Sequence, residues 1–415
     1  MAVEADPGVG EVVRSRRVTS VFQPLVHLAS RQVAGYECLS RGPAGSPLES
    51  PLALFEAAGP AGLTGELDWV CRAAGLARVL ASAPHPSLTW FVNAEPSQLT
   101  APCPADLRPV LARAEGHLSV VVEMTERAVD FDPAALLAAA QRARANGWGV
   151  ALDDVGAAPR SLALLPFLQP DVVKLDMTLV QGRNQAEVAT ISNAVRAYAE
   201  STGAVVLAEG IEDERMLATA LALGATYGQG WYFGRPGTLP DQLPGTERPF
   251  PLAQRVDTDA GMTPFEIGAA ARRPGTADKA LLLPNSLHLE RQALSGGEAL
   301  VLLATFQEGR HLTTATCARY EQLAARNVFT AALATGVAGR TTPGVRVVDL
   351  PPGDPLAAEW DVVVVGPHFA GALLARDRGD DGPDRERRFD YVITHDRALV
   401  LRAARSMLRW VNGAT

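Results

Sequence analysis

Between residues 18 and about 236, short apolar runs alternate with longer Ala- and Leu-rich segments whose apolar residues recur with a helical period. Strands that alternate with helices along a chain favour a parallel sheet, because each helix carries the chain back to start the next strand. Repeated units of this number favour closure into a barrel. The sequence therefore predicts the α/β class and a (β/α)8-type, TIM-like barrel. Its strand-like runs are SVFQPLV, VAGYECL, LTWFVN, LSVVVEM, GVALDD, DVVKLD and AVVLAEG, followed by YGQGWYFG.

A stretch rich in Pro, Gly, Thr and Asp follows the repeating region and has no periodicity, which is typical of a linker. With 415 residues, the chain is long enough for a large barrel and a second module. Beyond the linker, the runs EALVLLATF, VRVVDL, WDVVVVGPHF and FDYVIT predict a smaller α/β unit. We expect a tail at 1–17, the barrel domain at 18–240, the linker at 241–261 and the second domain at 262–415.

The charge and cysteine content of the chain limit its partners and its compartment. A formal net charge of −8 argues against polymeric nucleic acid as a partner. The cysteines are too widely spaced for a CxxC-type zinc site and are typical of a reducing cytoplasm. No run of about 18 apolar residues occurs, so we expect no membrane association and a cytoplasmic protein. The four cysteines are Cys38, Cys71, Cys103 and Cys317.

Polar residues interrupt the apolar runs at or near their C-terminal ends, where barrel active sites are built from several strands. A carboxylate at one strand end is usually a helix cap or a turn residue. Several acids on one rim, however, would repel one another unless a cation were bound among them. Oxygen ligands favour Mg²⁺ or Mn²⁺ over zinc, and the adjacent Asp153 and Asp154 could ligate two ions. The sequence therefore predicts one or two such ions at a rim that carries Glu37, Asn93, Glu123, Asp153, Asp154, Lys174, Glu209 and Gln229.

A metal site of this kind suits hydrolysis of a phosphodiester, since the ions lower the pKa of a bound water and neutralise the phosphate. Lys174 could hold that water or stabilise charge on the phosphate oxygens, or it could serve only as a salt-bridge partner of the acids. Because Lys174 and Asp176 are two residues apart, alternation along a strand predicts that both side chains reach the rim.

Eight motifs stand in the order and at about the spacing of the EAL domain family, which the chain resembles over roughly residues 18–240. They are QPLV, YECLSR, FVNAEPSQL, VVEMTE, ALDD, VVKLD, LAEGIE and GQGWYFGRP. The resemblance implies a cyclic-guanylate-specific phosphodiesterase that binds cyclic di-GMP and hydrolyses it to linear pGpG. It implies Lys174, Glu209 and Gln229 as catalytic residues and Glu126 as support for the loop after the fifth strand. It further implies Glu37, Asn93, Glu123, Asp153 and Asp154 as metal ligands, and Gln23, Leu39, Arg41, Asp176 and Glu212 as nucleotide contacts.

Two departures from the family pattern bear on catalysis. The signature is ECL instead of EAL, a mild change, and the loop that usually resembles DDFGTGYSSL is DDVGAAPRSL. Gly tolerates positive φ whereas Pro fixes φ near −65°, so the altered loop has different backbone conformations open to it. In the family this loop helps to place the second metal and couples the site to a dimer interface, so a homodimer is possible. The leading interpretation is a phosphodiesterase; the alternatives are a non-catalytic cyclic di-GMP receptor and a structural interaction module that binds no nucleotide.

Residues from about 262 to 410 resemble the DICT domain, a presumed sensory module found beside cyclic di-GMP enzymes and in two-component proteins. The resemblance rests on FQEGRHLTTATCARYEQLAARNVFTAAL, DPLAAEWDVVVVGPHFAGALLARD and RRFDYVITHDRALVLRAAR. It implies that an unknown signal ligand or protein acts on this domain and that the domain regulates the barrel. Trp360, His368, Phe369 and Arg376 could line a pocket, but residues of these types more often occupy core or surface positions, and we assign them no role.

Overall fold

Eight strands form a closed barrel in the order in which they occur along the chain, so the predicted TIM-like barrel is confirmed. Strands β2 to β8 pair in parallel, whereas β1 is antiparallel to both of its neighbours, β2 and β8. The connection from His27 to Val33 is too short for a crossover between parallel strands, so it can join only antiparallel ones. The strands are β1 (Thr19–His27), β2 (Val33–Arg41), β3 (Thr89–Ala94), β4 (Ser119–Thr125), β5 (Gly149–Val155), β6 (Val172–Leu175), β7 (Val205–Ala208) and β8 (Tyr227–Gly228).

The computed structural model describes residues 8–95, 98, 101–125, 133–156, 162, 165–181, 185–252, 259–295, 300–366 and 368–413. The chain divides into two units by its internal contacts. One contains Met1–Ser161 and Leu168–Arg255, and the other contains Leu162–Phe167 and Val256–Thr415.

Helices lie between most successive strands of the barrel. In α3, the residues Leu67, Val70 and Leu76 recur at intervals of three and six and are all buried, as expected of an amphipathic helix on a barrel. No helix in the described ranges is long and apolar enough to cross a bilayer. The helices up to β8 are α1 (Val9–Arg14), α2 (Pro51–Ala58), α3 (Thr64–Ala81), α4 (Arg108–His117), α5 (Pro133–Ala145), α6 (Leu165–Leu168), α7 (Met177–Val180), α8 (Gln185–Thr202) and α9 (Glu214–Ala222).

Both flanks of the barrel sequence are packed against it. Within residues 1–17, for which no element is predicted, α1 buries Val12 and Val13 in a cluster with α2 and α3. At the other flank, Phe250 stacks on Tyr227 with ring centroids 4.2 Å apart and joins the apolar cluster inside the barrel. The Tyr227 hydroxyl also donates to the Pro249 carbonyl at 3.1 Å. The Pro-rich stretch is therefore held on the barrel at least as far as Leu252.

The second unit is a seven-stranded mixed sheet in the order β12-β11-β10-β13-β14-β15-β9. Strands β10, β11 and β12 are parallel, and the remaining pairs are antiparallel. Its strands are β9 (Gly275–Asp278), β10 (Val301–Glu308), β11 (Phe329–Thr335), β12 (Arg346–Leu350), β13 (Glu359–Val365), β14 (Ala370–Asp377) and β15 (Arg388–Thr394). Its helices are α10 (Pro264–Ala271), α11 (Lys279–Ser295), α12 (Thr314–Ala324) and α13 (Arg397–Gly413).

The smaller α/β domain is thus confirmed, but the sequence pattern misses three of its strands. Two of them, FTAALAT in β11 and AGALLARD in β14, are rich in alanine, which favours helices when taken alone. Both strands have other strands on either side, and their middle residues are buried. Sheet pairing and burial therefore override the local preference.

Candidate functional site

The strand-end residues predicted from the sequence converge on one lysine. Lys174 in β6 places its Nζ atom 2.7 Å from Glu123, 2.8 Å from Glu209 and 3.0 Å from Asp153. A fourth carboxylate, that of Glu37, lies 3.9 Å away. These acids come from four different strands or strand ends, so it is barrel closure that brings them together.

Burial makes the charges of this cluster interdependent. The side chains of Lys174 and Glu123 are 1% and 0% exposed, so neither is solvated by bulk water. Desolvation alone would lower the pKa of Lys174, but the surrounding carboxylates raise it well above its usual value. Desolvation and the negative charge of Glu37 raise the pKa of Glu123 well above its usual value, and desolvation raises that of Glu209 to about 8. One buried ammonium therefore compensates only part of the negative charge that the four acids can carry.

Amide side chains hold Glu37 in position. Asn93 Nδ2 donates to Glu37 Oε1 at 3.0 Å, and Gln229 Nε2 donates to Glu37 Oε2 at 2.7 Å. Gln229 also donates to Gln23 Oε1 at 2.8 Å, and Gln23 pairs with Glu37 in the register of β1 and β2. Burial opposes ionisation of Glu37, but Lys174 and these two amide donors together lower its pKa, so Glu37 is ionised.

A bulge turns two neighbouring aspartates toward the same side of β5. Consecutive residues of a regular strand point to opposite faces, which would separate Asp153 from Asp154. The register of β5 with β6 shifts between Leu152 and Val155, and Asp154 takes a left-handed conformation with φ 59°. Carboxylate oxygens of Asp153, Asp154 and Glu209 consequently lie within 4.8 Å of one another.

The donor set fits a hard divalent cation. The three clustered carboxylates offer only oxygen atoms, which suits Mg²⁺ or Mn²⁺ better than zinc. Glu123 Oε2 and Gln229 Oε1 are buried and accept no hydrogen bond from any residue that the structure describes. Buried acceptors without donors are costly, and a bound cation or its water ligands would satisfy them. The residues present therefore fit the predicted metal.

The remaining predicted residues lie at varying distances from this cluster. Leu39 lines a cleft of about 570 Å³ that also exposes Glu37, Asn93 and Asp154. Arg41, at the end of β2, donates to the Ser40 carbonyl at 2.7 Å. Glu212 is exposed, between β7 and α9. Glu126 and loop residues 157–160 lie outside the described residues.

Asp176 directly follows strand β6 and is not part of it. Strand β6 ends at Leu175, and Asp176 is the N-cap of α7, where its carboxylate accepts from the Thr178 amide at 2.8 Å. Asp176 thus follows the C-terminal end of β6 as a helix cap, and its approach to the nucleotide beside Lys174 stays a prediction.

Two residues of the cleft were missed by reasoning from strand ends, because they lie on helix α3. Asp68 is buried, forms an i,i+4 ion pair with Arg72 and accepts from the Glu95 amide at 3.0 Å. The Arg72 guanidinium also lies 3.7 Å from the centre of the Trp69 ring. Its Nε is buried and donates to none of the described residues. The spacing in LDWVCR was the available signal, because an Asp and an Arg four residues apart share a helix face.

The bulge allows a test of what Asp154 does in the metal-free protein. Asn tolerates the left-handed conformation, so Asp154→Asn should keep the backbone while removing one of the clustered negative charges. In chelator, we expect Asp154→Asn to melt at the same temperature as wild type or at a higher one. The increase in melting temperature that Mn²⁺ causes should be substantially smaller in the variant than in wild type. Thermal denaturation with EDTA and with Mn²⁺ measures both, and the exposed Asp241→Asn serves as control. An unchanged Mn²⁺ effect in Asp154→Asn would exclude this carboxylate from the site.

Comparison with known proteins identifies both units. A model of the EAL domain family matches residues 10–236, and one described as a sensory domain in diguanylate cyclases and two-component systems, DICT, matches residues 266–378. The protein named cyclic di-GMP phosphodiesterase RocR of Pseudomonas aeruginosa is 33% identical over 251 residues, 57% of this chain and 62% of RocR. This chain thus spans less than two thirds of that relative.

Solved structures of similar proteins cover about the same part of the chain. The manganese and cyclic di-GMP complex of Klebsiella pneumoniae BlrP1 is 27% identical, with a TM-score of 0.47, over 53% of this chain and 56% of that one. The cyclic di-GMP complex of the phosphodiesterase PaMucR is 26% identical, with a TM-score of 0.47, over 55% of this chain and 96% of that one. Because the EAL family model spans more than half of the residues, this chain belongs to the EAL domain family, and its barrel is followed by a DICT domain.

Proposed function

We propose that this chain is a metal-dependent phosphodiesterase that hydrolyses cyclic di-GMP to linear pGpG. The observation that carries the proposal is the buried Lys174 surrounded by four carboxylates, beside an aspartate pair turned to one side by a bulge. A purely structural ion pair would need one or two acids, and the excess negative charge suits a divalent cation. The name of the relative RocR, a cyclic di-GMP phosphodiesterase, supports the choice of substrate.

We assign the metal, Mg²⁺ or Mn²⁺, to one or two positions held by five side chains. When bound, it would activate water and neutralise a phosphate group. Glu209, whose carboxylate lies beside Asp153 and Asp154, would accept a proton from the attacking water. Gln229 would orient that water, and Lys174 would place its ammonium against the phosphate oxygens. The five metal ligands would be Glu37, Asn93, Glu123, Asp153 and Asp154.

The cleft beside the cluster is where the nucleotide would bind. Its volume of about 570 Å³ lies within the range of small-ligand sites. We assign the nucleotide contacts to Gln23, Leu39, Arg41, Asp176 and Glu212, as the family resemblance implies, and Glu126 to support of the neighbouring loop. To these we add Arg72, which lines the same cleft and whose Nε has no hydrogen-bond partner among the described residues. We also propose that the DICT domain regulates the barrel; a homodimer remains a prediction.

The assay of product decides between an enzyme and a receptor. The full chain is incubated with cyclic di-GMP and Mn²⁺ or Mg²⁺, and linear pGpG is separated by chromatography. We expect product with metal and none in EDTA. Tight binding of cyclic di-GMP without product at any metal concentration would favour the non-catalytic receptor, and absence of binding would favour the structural module.

Arg72 should affect nucleotide affinity more than the chemical step. Arg72→Met removes the guanidinium and keeps most of the apolar stem, so we expect KM to rise about tenfold with kcat within about threefold. Arg78→Met, an exposed position on the same helix, is the matched control. Equal kinetics of the two variants would remove Arg72 from the nucleotide site.

The altered loop should limit metal affinity and rate. Residues 157–160 would be changed to the family-like Thr, Gly, Tyr and Ser, leaving Val155 and Gly156 in place. Val155 is fully buried, so a larger side chain there would cause overpacking. We expect higher turnover and a lower Mn²⁺ requirement at similar nucleotide affinity, because positioning governs rate. A wild-type protein already saturated at micromolar metal would show that the native loop is adequate.

A further inference from the structure

A cavity of about 200 Å³ lies within the second unit, between helices α11 and α12 and the C-terminal end of β10. From β10 the chain continues to β11 on one side, while β13 lies on the other side of β10. In open α/β sheets, ligands bind outside the carboxyl ends of strands. Because β13 is antiparallel to β10, only β10 presents its carboxyl end to the cavity. The volume of the cavity suits a molecule with one or two rings.

Two rigid aromatic side chains form part of the cavity wall. Phe306 packs edge to face on Tyr320 with centroids 5.2 Å apart, and Trp360 packs on Phe389 with centroids 5.6 Å apart. Tyr320 and Phe389 are almost completely buried, so both wall residues are supported from behind. With Leu287 they offer an apolar surface that favours a planar ring.

The polar part of the wall contains a lysine in a chain that almost never uses one. Lys174 and Lys279 are the only lysines in the sequence, and every other basic side chain except histidine is arginine. Lys174 lies at the centre of the barrel cluster, whereas Lys279 lines this cavity, its Nζ 2.7 Å from both oxygens of Asp384. Lysine is a compact point charge that arginine does not replace. The rarity of lysine therefore points to a specific use of the Lys279 ammonium.

A buried imidazole beside Lys279 has an unused hydrogen-bonding atom. Nε2 of His311 is buried and has no hydrogen-bond partner among the described residues. Desolvation and then the charges of Lys279, Arg310 and Arg387 lower the pKa of His311, opposed by Asp384. The imidazole is thus neutral and can donate one hydrogen bond from Nε2. Lys279, Arg310 and Arg387 are already paired with Asp384, Glu308 and Asp377, so a bound anion would share the Lys279 ammonium with Asp384. The Nε2–H group and this shared ammonium are the donors that favour an anion.

The acid in the wall does not cancel this preference. Glu290 is buried, and its two oxygens accept from Arg319 Nε at 2.6 Å and from the Tyr320 hydroxyl at 3.0 Å. Its charge is therefore already compensated within the fold.

Strain at the end of β10 is consistent with a binding role. Gln307, also in the wall, has a left-handed φ of 59° at a register shift between β10 and β11. Residues other than Gly or Asn rarely adopt this left-handed conformation, and bulges of this kind change the direction of side chains next to binding sites.

We propose that this cavity binds a small aromatic carboxylate of one ring. The ring would pack against Phe306 and Trp360, and the carboxylate would contact Lys279 and His311. The site lies in the DICT domain and does not depend on hydrolysis by the barrel. Its ligand would be the class of signal to which this sensory domain responds.

Calorimetry with the full chain tests the proposal, using benzoate as the probe and EDTA to prevent binding of the carboxylate to metal. The comparison ligands are benzyl alcohol, which lacks the charge, and cyclohexanecarboxylate, which lacks the aromatic ring. We expect benzoate to bind with a Kd at or below about 1 mM and each comparison ligand to bind at least about tenfold more weakly. No benzoate binding at several times that concentration, or equal binding of either comparison ligand, would overturn the assignment.

Three variants locate the bound probe. Lys279→Met should weaken benzoate binding at least about tenfold, and Ser286→Leu should abolish it by filling the cavity from a buried position on α11. His288→Ala, exposed on the same helix, should bind as the wild type does. Melting temperatures verify that each variant is folded. If Ser286→Leu does not fold, Lys279→Met still decides the test. Wild-type affinity in folded Lys279→Met would place benzoate elsewhere. Because binding and not turnover is measured, failure here leaves the proposed barrel activity untouched, and the reverse also holds.

Discussion

Replacing Glu37 by alanine is expected to abolish metal-dependent hydrolysis of cyclic di-GMP while weakening nucleotide binding only in part. Glu37 is ionised, buried and held by two amide donors, so its carboxylate is oriented before any ligand arrives. Loss of such a preorganised charged ligand should reduce kcat by about 10²–10³-fold or more. Product formation and equilibrium binding of cyclic di-GMP are measured on the same preparation, with and without Mn²⁺.

Two further variants sharpen this test. Glu37→Gln keeps the size of the side chain and removes its charge, so it should be nearly as inactive as Glu37→Ala if the carboxylate acts through metal. Glu56→Ala, an exposed position on α2, should retain wild-type turnover. Normal activity in Glu37→Ala would remove this residue from the mechanism and with it most of the proposed function.

The sequence predicts the barrel and the residues of its rim because both depend on local patterns that repeat. Each strand carries an apolar run, and each polar interruption falls at the end where barrel strands converge. Counting strands is enough to predict that Glu123 and Glu209 approach Lys174, although they are far apart along the chain. The distances of 2.7 Å and 2.8 Å then follow from barrel closure.

Features that depend on single backbone angles could not be predicted in the same way. Simple alternation would send Asp153 and Asp154 to opposite faces, and only the bulge with a left-handed Asp154 brings them together. At Asp176, one residue beyond the end of β6, alternation along the strand does not predict the observed helix cap. Arg72 was missed for a different reason: it reaches the cleft from a helix, where strand-end reasoning does not apply.

In the second unit, part of the sheet was not predicted from the sequence because two of its strands are rich in alanine. Strand β11 has little of the β-branched character that marks a strand, yet its position between β10 and β12 buries its middle residues. Of the four residues that the sequence offered for a pocket, only Trp360 lines the cavity of this unit; the rest of the wall could not be predicted, since α11, β10 and β13 contribute residues that are distant in the chain.

Replacing Lys174 by methionine is expected to separate two roles of this lysine, one in the chemical step and one in the stability of the metal-free protein. In the substrate complex its ammonium would stabilise charge on the phosphate, so kcat should fall by about two orders of magnitude or more with nucleotide affinity within several-fold. In the metal-free protein it is the counter-charge of four acids, and its loss leaves buried carboxylates uncompensated, at a cost of about 3–5 kcal/mol. Protonation of these acids would offset part of that cost.

The two roles have opposite consequences for metal. Without the competing ammonium, the carboxylates should bind Mn²⁺ more tightly, so the variant should melt earlier than wild type in EDTA but gain more stability when Mn²⁺ is added. Lys174→Arg retains a positive charge, so it should preserve more of the metal-free stability than Lys174→Met. Its turnover should remain slow, because the position is fully buried and fits a compact ammonium better than the larger guanidinium. Melting curves with and without Mn²⁺, together with kcat and KM, measure all of these effects. A Lys174→Met protein with normal kcat and only a raised KM would make the lysine a ground-state phosphate contact, and one with normal kinetics throughout would reduce it to a salt bridge of the fold.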